Sequence, residues 1–245
     1  MKNSNYQRRF YRHWVKTEDL YHTHFREKET DLQILTNKKI SRDFIKERVD
    51  LYRWDIENYI HRNKKFLTAL KPLEVELTAA KIVKEMALQS KKANVGPMAT
   101  VAGAVAEFLG QDLLKNGYKD VIIENGGDIF IKTRKVRTLG IYSGKSKLWQ
   151  KLKVKIKPKD TPLGICTSSG TISHSLSFGS ADIVSIFSKS AALADAVATA
   201  TGNRIQSKQD LQTGFEFAKS IKGVLGVIII FKNSLITWGK VEFRS

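Results

Sequence analysis

The run Val121-Ile122-Ile123-Glu124-Asn125-Gly126-Gly127-Asp128-Ile129-Phe130-Ile131-Lys132-Thr133 sets two short apolar stretches on either side of Asn-Gly-Gly-Asp. Val121 to Ile123 reads as a short buried strand and Ile129 to Thr133 as its neighbour, because Asn-Gly between β-forming residues is the strongest short hairpin signal. The paired glycines also permit positive φ and let a ligand approach the backbone, and Asn125 and Asp128 place polar side chains at that opening. An ordinary hairpin turn and a binding corner are both open readings of these residues.

Outward from this hairpin the chain reads as strands joined by short turns. Further strands are predicted over Gln7 to Val15, His22 to Glu27, Thr30 to Leu35, Val136 to Tyr142, Leu152 to Ile156, Leu163 to Thr167 and Ile183 to Phe187. A terminal hairpin joins Val227 to Phe231 with Leu235 to Trp238 around Lys232-Asn233-Ser234. Ser41 stands as an N-cap before Phe44, Ile45, Val49, Tyr52, Ile56, Tyr59 and Ile60, which recur at helical spacing. More helices are predicted over Thr78 to Ser90, from Ala99 to a stop near Asn116-Gly117, over Ala191 to Gly202 and over Leu211 to Ile221. Turn-linked strands outnumber strict strand–helix alternation. The expected class is therefore α+β, with largely antiparallel sheet packed against helices. No repeat or low-complexity linker interrupts the chain, so residues 1–245 are read as one unit: N-terminal strands in 1–40, a helical segment in 41–92 and a motif-bearing core in 93–245.

The chain has 245 residues, 42% of them hydrophobic, a composition of globular rather than disordered proteins. Its longest strongly apolar stretch, Gly223 to Phe231, falls far short of the roughly 20 residues needed to cross a bilayer. The charged, aromatic start MKNSNYQRRFYRHW does not resemble a signal peptide, and the single cysteine forms no internal disulfide. The expected location is the cytoplasm.

The net charge is +18. Between Lys132 and Lys159 there are 11 Lys or Arg and no acid, which supplies more than half of the excess. Lys151, Lys153, Lys155, Lys157 and Lys159 alternate with Leu152, Val154, Ile156 and Pro158, the period of a strand with one wet face. A solubilising face or charged edge strand is the preferred reading over an RNA-binding stripe, because no RNP-like, helix-turn-helix or zinc pattern accompanies the charge. RNA binding would require affinity that falls steeply with salt.

Two further segments carry chemistry. Cys166-Thr167-Ser168-Ser169-Gly170-Thr171-Ile172-Ser173-His174-Ser175 follows an apolar strand with hydroxyls, a glycine and a histidine. Hydroxyls and backbone N–H groups suit phosphate or ribose oxygens, and His174 can donate a hydrogen bond or move a proton near neutral pH. Cys166 is read as a small buried filler in preference to a nucleophile, since no neighbouring base is evident. In Ala191-Ala192-Leu193-Ala194-Asp195-Ala196-Val197-Ala198-Thr199-Ala200-Thr201-Gly202, Asp195 and Thr199 are four apart and share a helix face. Their oxygens suit a hard cation such as Mg²⁺; equally, Asp195 caps or hydrogen-bonds inside a tightly packed helix.

Taken in order, Asn-Gly-Gly-Asp, the Thr-Ser-Ser-Gly loop and Ala-Asp-Ala-x-x-Thr-Ala resemble the ApbE flavin-transferase superfamily, and more closely a short branch of it, over roughly Gly96 to Gly202. The resemblance implies FAD or FMN bound at the glycine pair, Mg²⁺ on an Asp and a Thr, and FMN transferred to a threonine of an acceptor protein with release of AMP. By matching motif, Asn125, Gly126, Gly127 and Asp128 would face the flavin nucleotide or a related phosphate ligand, with Thr167, Ser168, Ser169 and Gly170 around it. Asp195 and Thr199 would hold Mg²⁺, and His174 would be the catalytic group. The resemblance implies binding of a flavin nucleotide or related phosphate ligand with Mg²⁺, and leaves open whether Mg²⁺-dependent flavin transfer or FAD pyrophosphate cleavage goes with it. The alternative it brings in is a non-catalytic accessory role in sulfide assimilation into homocysteine, with an acceptor or pathway protein as partner; self-association is open. The chain departs from the superfamily pattern at two places. Ala102-Gly103-Ala104-Val105-Ala106-Glu107 stands where Lys-Gly-Tyr-Ala-Val-Asp is usual, and Ser175-Leu176-Ser177-Phe178-Gly179 follows His174 where the pattern carries His-x-x-Asp-Pro-x-Thr-Gly.

Overall fold

A computed structural model describes residues 18–141, 152–169 and 179–244. Ten strands and six helices lie among them, the strands being β1 (Tyr21–Glu27), β2 (Thr30–Thr36), β3 (Val121–Asn125), β4 (Asp128–Lys132), β5 (Arg137–Ile141), β6 (Leu152–Ile156), β7 (Leu163–Ser168), β8 (Ile183–Ser188), β9 (Val224–Phe231) and β10 (Ser234–Gly239). The helices are α1 (Arg42–Arg62), α2 (Lys65–Thr68), α3 (Lys81–Ala93), α4 (Val101–Lys115), α5 (Ala191–Arg204) and α6 (Leu211–Ser220).

Eight strands form one sheet in the order β1-β2-β3-β4-β7-β8-β9-β10, and β5-β6 form a separate ribbon. Every ladder is antiparallel. This is the α+β architecture expected from the turn-rich pattern. The β4–β7 pairing spans the inserted ribbon, as β2–β3 spans α1 to α4 and β8–β9 spans α5 and α6.

The alternation of side chains along each strand builds two cores. On one face Leu32, Ile34, Ile123, Phe130, Cys166, Val184 and Ile186 pack beneath the helices. On the other, Leu35, Ile122, Ile131, Ile165, Phe187 and Ile228 pack against Leu139, Ile141, Val154 and Ile156 of the ribbon. The lysine alternation therefore matches one wet face: Val154 and Ile156 are buried, while Lys153 is exposed. Lys155 pairs with Glu242 at 3.0 Å and Lys157 pairs with the same carboxylate.

α1 forms as its apolar spacing dictates. It buries Ile45, Val49, Tyr52, Ile56 and Tyr59, and the Ser41 hydroxyl accepts the Asp43 N–H at 3.2 Å. α3 begins and ends three residues later than expected. The chain first turns at Glu76 to Ala79, and Asn94 closes the helix in the left-handed region at φ 56°. The terminal hairpin turns at Lys232-Asn233 between Phe231 and Ser234, and its first strand extends back to Val224. The predicted strand Gln7 to Val15 lies outside the described residues. No helix among the described residues is long and apolar enough to cross a membrane.

Candidate functional site

The β3–β4 connection is a two-residue turn: Asn125 pairs with Asp128, and Gly126 (φ 69°) and Gly127 (φ 106°) both lie in the left-handed region. Consecutive positive φ values define the hairpin turn that the Asn-Gly signal anticipates. The turn is tied to its surroundings on three sides. The Gly127 N–H donates to Glu124 Oε1 at 2.8 Å, Asn125 Nδ2 donates to the Ala102 carbonyl of α4 at 3.2 Å, and Asp128 Oδ1 accepts the Thr167 N–H of β7 at 3.2 Å. The Asp128 contact lies beyond Ile129–Ile165, the outermost pair of the β4–β7 ladder, and so holds the two strand ends together where the ladder stops.

α5 packs on the same turn of α4. Asp195 Oδ2 accepts the N–H of Gly103, in the first turn of α4, at 3.0 Å. The amide end of a helix carries partial positive charge, so a carboxylate is stabilised there. Burial nevertheless pushes the Asp195 carboxyl well above its ordinary value. The negative charge of Asp128 adds to this, and the Gly103 and Ala102 amides oppose it. The turn that carries Asp128 and the helix that carries Asp195, 67 positions apart in the sequence, thus meet on the first turn of α4, where Asn125 and Asp195 both bond. Only glycine fits at the contact, since a Cβ on Gly103 would lie 2.4 Å from the Ala191 carbonyl oxygen and 2.9 Å from the Asp195 Cβ.

Of the residues singled out in the sequence, Asn125, Gly126, Gly127, Asp128, Thr167 and Asp195 converge here. The Thr167 hydroxyl bonds that of Ser185 at 2.8 Å, and Ser168 and Ser169 are buried at the end of the same strand. Thr199, one turn along α5 from Asp195, is half-buried. Gly170 and His174 lie outside the described residues. Cys166 is fully buried, its thiol donates to the Ala191 carbonyl at 3.1 Å, and burial pushes the thiol up, as suits a structural cysteine.

Sequence reasoning overlooked Glu107. It is 7% exposed, and its Oε2 accepts the Ser190 hydroxyl at 2.9 Å and the N–H groups of Ala191 at 2.7 Å and Ala192 at 3.2 Å. The available signal was a lone carboxylate in the otherwise apolar run Val101 to Leu109, which demands a partner.

A divalent cation fits the donor set. The Asp195 carboxylate and, one turn along α5, the Thr199 hydroxyl supply hard oxygens, and a positive charge would offset the burial and the Asp128 charge that raise Asp195. The glycine turn fits the approach of a phosphate-bearing ligand, because it presents no side chain at Gly126 or Gly127. Among the described residues no group of three or more His, Cys, Asp or Glu side chains forms a metal cluster, so a cation here would draw on hydroxyl, ligand or water oxygens as well.

The family model described as AbpE bacteria matches residues 12–222. The chain belongs to this family. Its curated relatives include UPF0280 proteins of Methanococcus maripaludis strain C5, 42% identical over 87% of this chain and 88% of the relative, and of Methanocaldococcus jannaschii, 38% identical over the same shares. Another UPF0280 protein, from Methanosarcina acetivorans, is 34% identical over 89% of this chain and 86% of its own length. The family's fold is that of the ApbE flavin transferases. The flavin transferase ApbE from Vibrio cholerae superposes with a TM-score of 0.61 at 12% identity, covering 92% of this chain and 97% of that one. The apo Pseudomonas stutzeri flavinyl transferase ApbE gives 0.59 at 12% identity, covering 92% and 94%. The chain is thus an ApbE-like protein of a branch it shares with the UPF0280 proteins.

Proposed function

We propose that the chain binds a flavin nucleotide, FAD or FMN, or a related phosphate ligand together with Mg²⁺ where the β3–β4 turn, the end of β7, the start of α4 and α5 meet. The observation that supports this most directly is that the glycine turn and α5 meet on the first turn of α4, Asn125 Nδ2 donating to the Ala102 carbonyl and Asp195 accepting the Gly103 N–H. Asp195 and Thr199 would hold the metal, and Asn125 to Asp128 with Thr167 to Gly170 would line the nucleotide. Bound there, Mg²⁺ supplies positive charge that offsets the diphosphate and the charge developing on it.

The chain's own residues would do the rest. The glycine turn lets the ligand approach the backbone, and the serine and threonine hydroxyls offer hydrogen bonds to phosphate or ribose oxygens. His174 would take the proton from the attacking oxygen. In transfer, the attacking hydroxyl of an acceptor protein forms a new P–O bond to the FMN phosphorus, the diphosphate P–O bond breaks, and AMP leaves. With water as the attacking group, the same displacement is FAD pyrophosphate cleavage. We place the protein in the cytoplasm.

The test is purified protein with FAD, with and without Mg²⁺, followed by flavin fluorescence for binding and by chromatography for AMP. Binding that needs Mg²⁺ supports the site, and AMP release adds the chemistry. The reading fails where FAD fluorescence is unchanged at millimolar Mg²⁺ and fresh protein releases no nucleotide on denaturation.

A further inference from the structure

We infer that Glu107 is the positioning residue of the proposed metal site: it holds the amide end of α5 so that Asp195 stands on the first turn of α4, beside the β3–β4 turn. The inference rests on the reading of the site given above and adds to it a residue that does not touch the ligand. The two helices exchange carboxylates. Glu107 of α4 takes the Ser190 hydroxyl and the first two amides of α5, and Asp195 of α5 takes the Gly103 amide in the first turn of α4. Gly103 beside Asp195 and Glu107 beside Ala191 make the helices antiparallel neighbours, each supplying the acid that the other's positive end requires. Ser190, the N-cap of α5, also accepts the Leu193 N–H at 3.2 Å, so Glu107 fixes the cap as well as the amides.

The exchange has a directional consequence. Asp195 is only four residues from Ala191, so a shift of the first turn of α5 moves its carboxylate relative to α4 and Asp128 by nearly the same amount. Burial holds the Glu107 carboxyl above its ordinary value, while the hydroxyl and amide donors oppose that rise. Removing a group that orients a metal ligand typically costs about 10- to 100-fold in metal affinity.

The test titrates Mn²⁺, as a paramagnetic stand-in for Mg²⁺, into wild type, Glu107→Ala and Glu107→Gln, and counts free ion by electron paramagnetic resonance at a temperature where circular dichroism shows each variant folded. The expected result is a roughly 10- to 100-fold weaker site in Glu107→Ala and a smaller loss in Glu107→Gln, whose amide oxygen still accepts one N–H. Wild-type affinity in a folded Glu107→Ala with a lowered melting temperature overturns the inference, because a purely structural acid would behave that way. Should Glu107→Ala fail to fold, Glu107→Gln decides: a several-fold loss supports the role and unchanged affinity overturns it. A wild-type chain that binds no Mn²⁺ overturns the reading of the site and this inference with it, whereas a binding wild type matched by its variants overturns this inference alone.

Discussion

Asp195 accepts the amide proton of Gly103 at 3.0 Å, joining two helices whose contact residues lie 92 positions apart. A helix packed this tightly against another has no room for one extra carbon. In an open helix, Gly→Ala gains about 1 kcal/mol of propensity. Here the new Cβ meets the Ala191 carbonyl and the Asp195 Cβ. Overpacking of this kind costs about 1–3 kcal/mol and outweighs the gain. Gly103→Ala is therefore expected to lower stability in chemical denaturation, and Gly103→Val to lower it further.

Gly127 makes the opposite case. A Cβ there would have ordinary clearance, 3.8 Å from the Thr167 carbonyl oxygen, but its φ of 106° is unfavourable for any side chain. Gly127→Ala is expected to cost about 1–2 kcal/mol through backbone strain alone. Equilibrium denaturation with an unchanged slope measures it.

Much of this was legible in the sequence because it is local. The glycine turn, the N-cap at Ser41 and the apolar period of α1 each follow from residues within a few positions of one another. The β4–β7 pairing across the inserted ribbon was not legible, nor was the exchange between Glu107 and the start of α5, since both depend on contacts tens of residues apart. The left-handed Asn94 and the one-turn helix α2 escaped for another reason: tertiary packing decides short irregular segments more than propensity does. Within the site, residue types pointed to Asp195 and Asp128 individually. Only the fold brings the two elements that carry them onto one turn of α4.

Cys166 is expected to resist modification. Its thiol is fully buried and pushed up by burial, so iodoacetamide at neutral pH should label it only in denaturant. Intact-mass measurement with and without guanidinium checks this, and rapid labelling of the native chain would contradict the packing.

The Asp19–Arg137 pair sets an acid dependence. Arg137 is buried and donates to Asp19 at 2.6 and 3.0 Å; with Lys135 beside it, the Asp19 carboxyl is held well below the usual carboxylate range. A depressed folded pKa contributes stability above the unfolded value of about 3.9, and that contribution is lost as pH falls through the folded value. Asp19→Asn is expected to cost about 1–3 kcal/mol at pH 7, between exposed and buried pairs because Asp19 is partly solvated. The gap between wild type and variant should hold from pH 7 to about pH 4 and narrow below that, as read from denaturation midpoints across the range.

The most direct measurement is FAD titration of wild type and Asp195→Ala, each at zero and millimolar Mg²⁺, followed by flavin fluorescence on protein shown to be folded. The account predicts Mg²⁺-dependent binding by wild type and a loss of at least about tenfold in the variant. Equal affinity of the two proteins at both metal concentrations would contradict it.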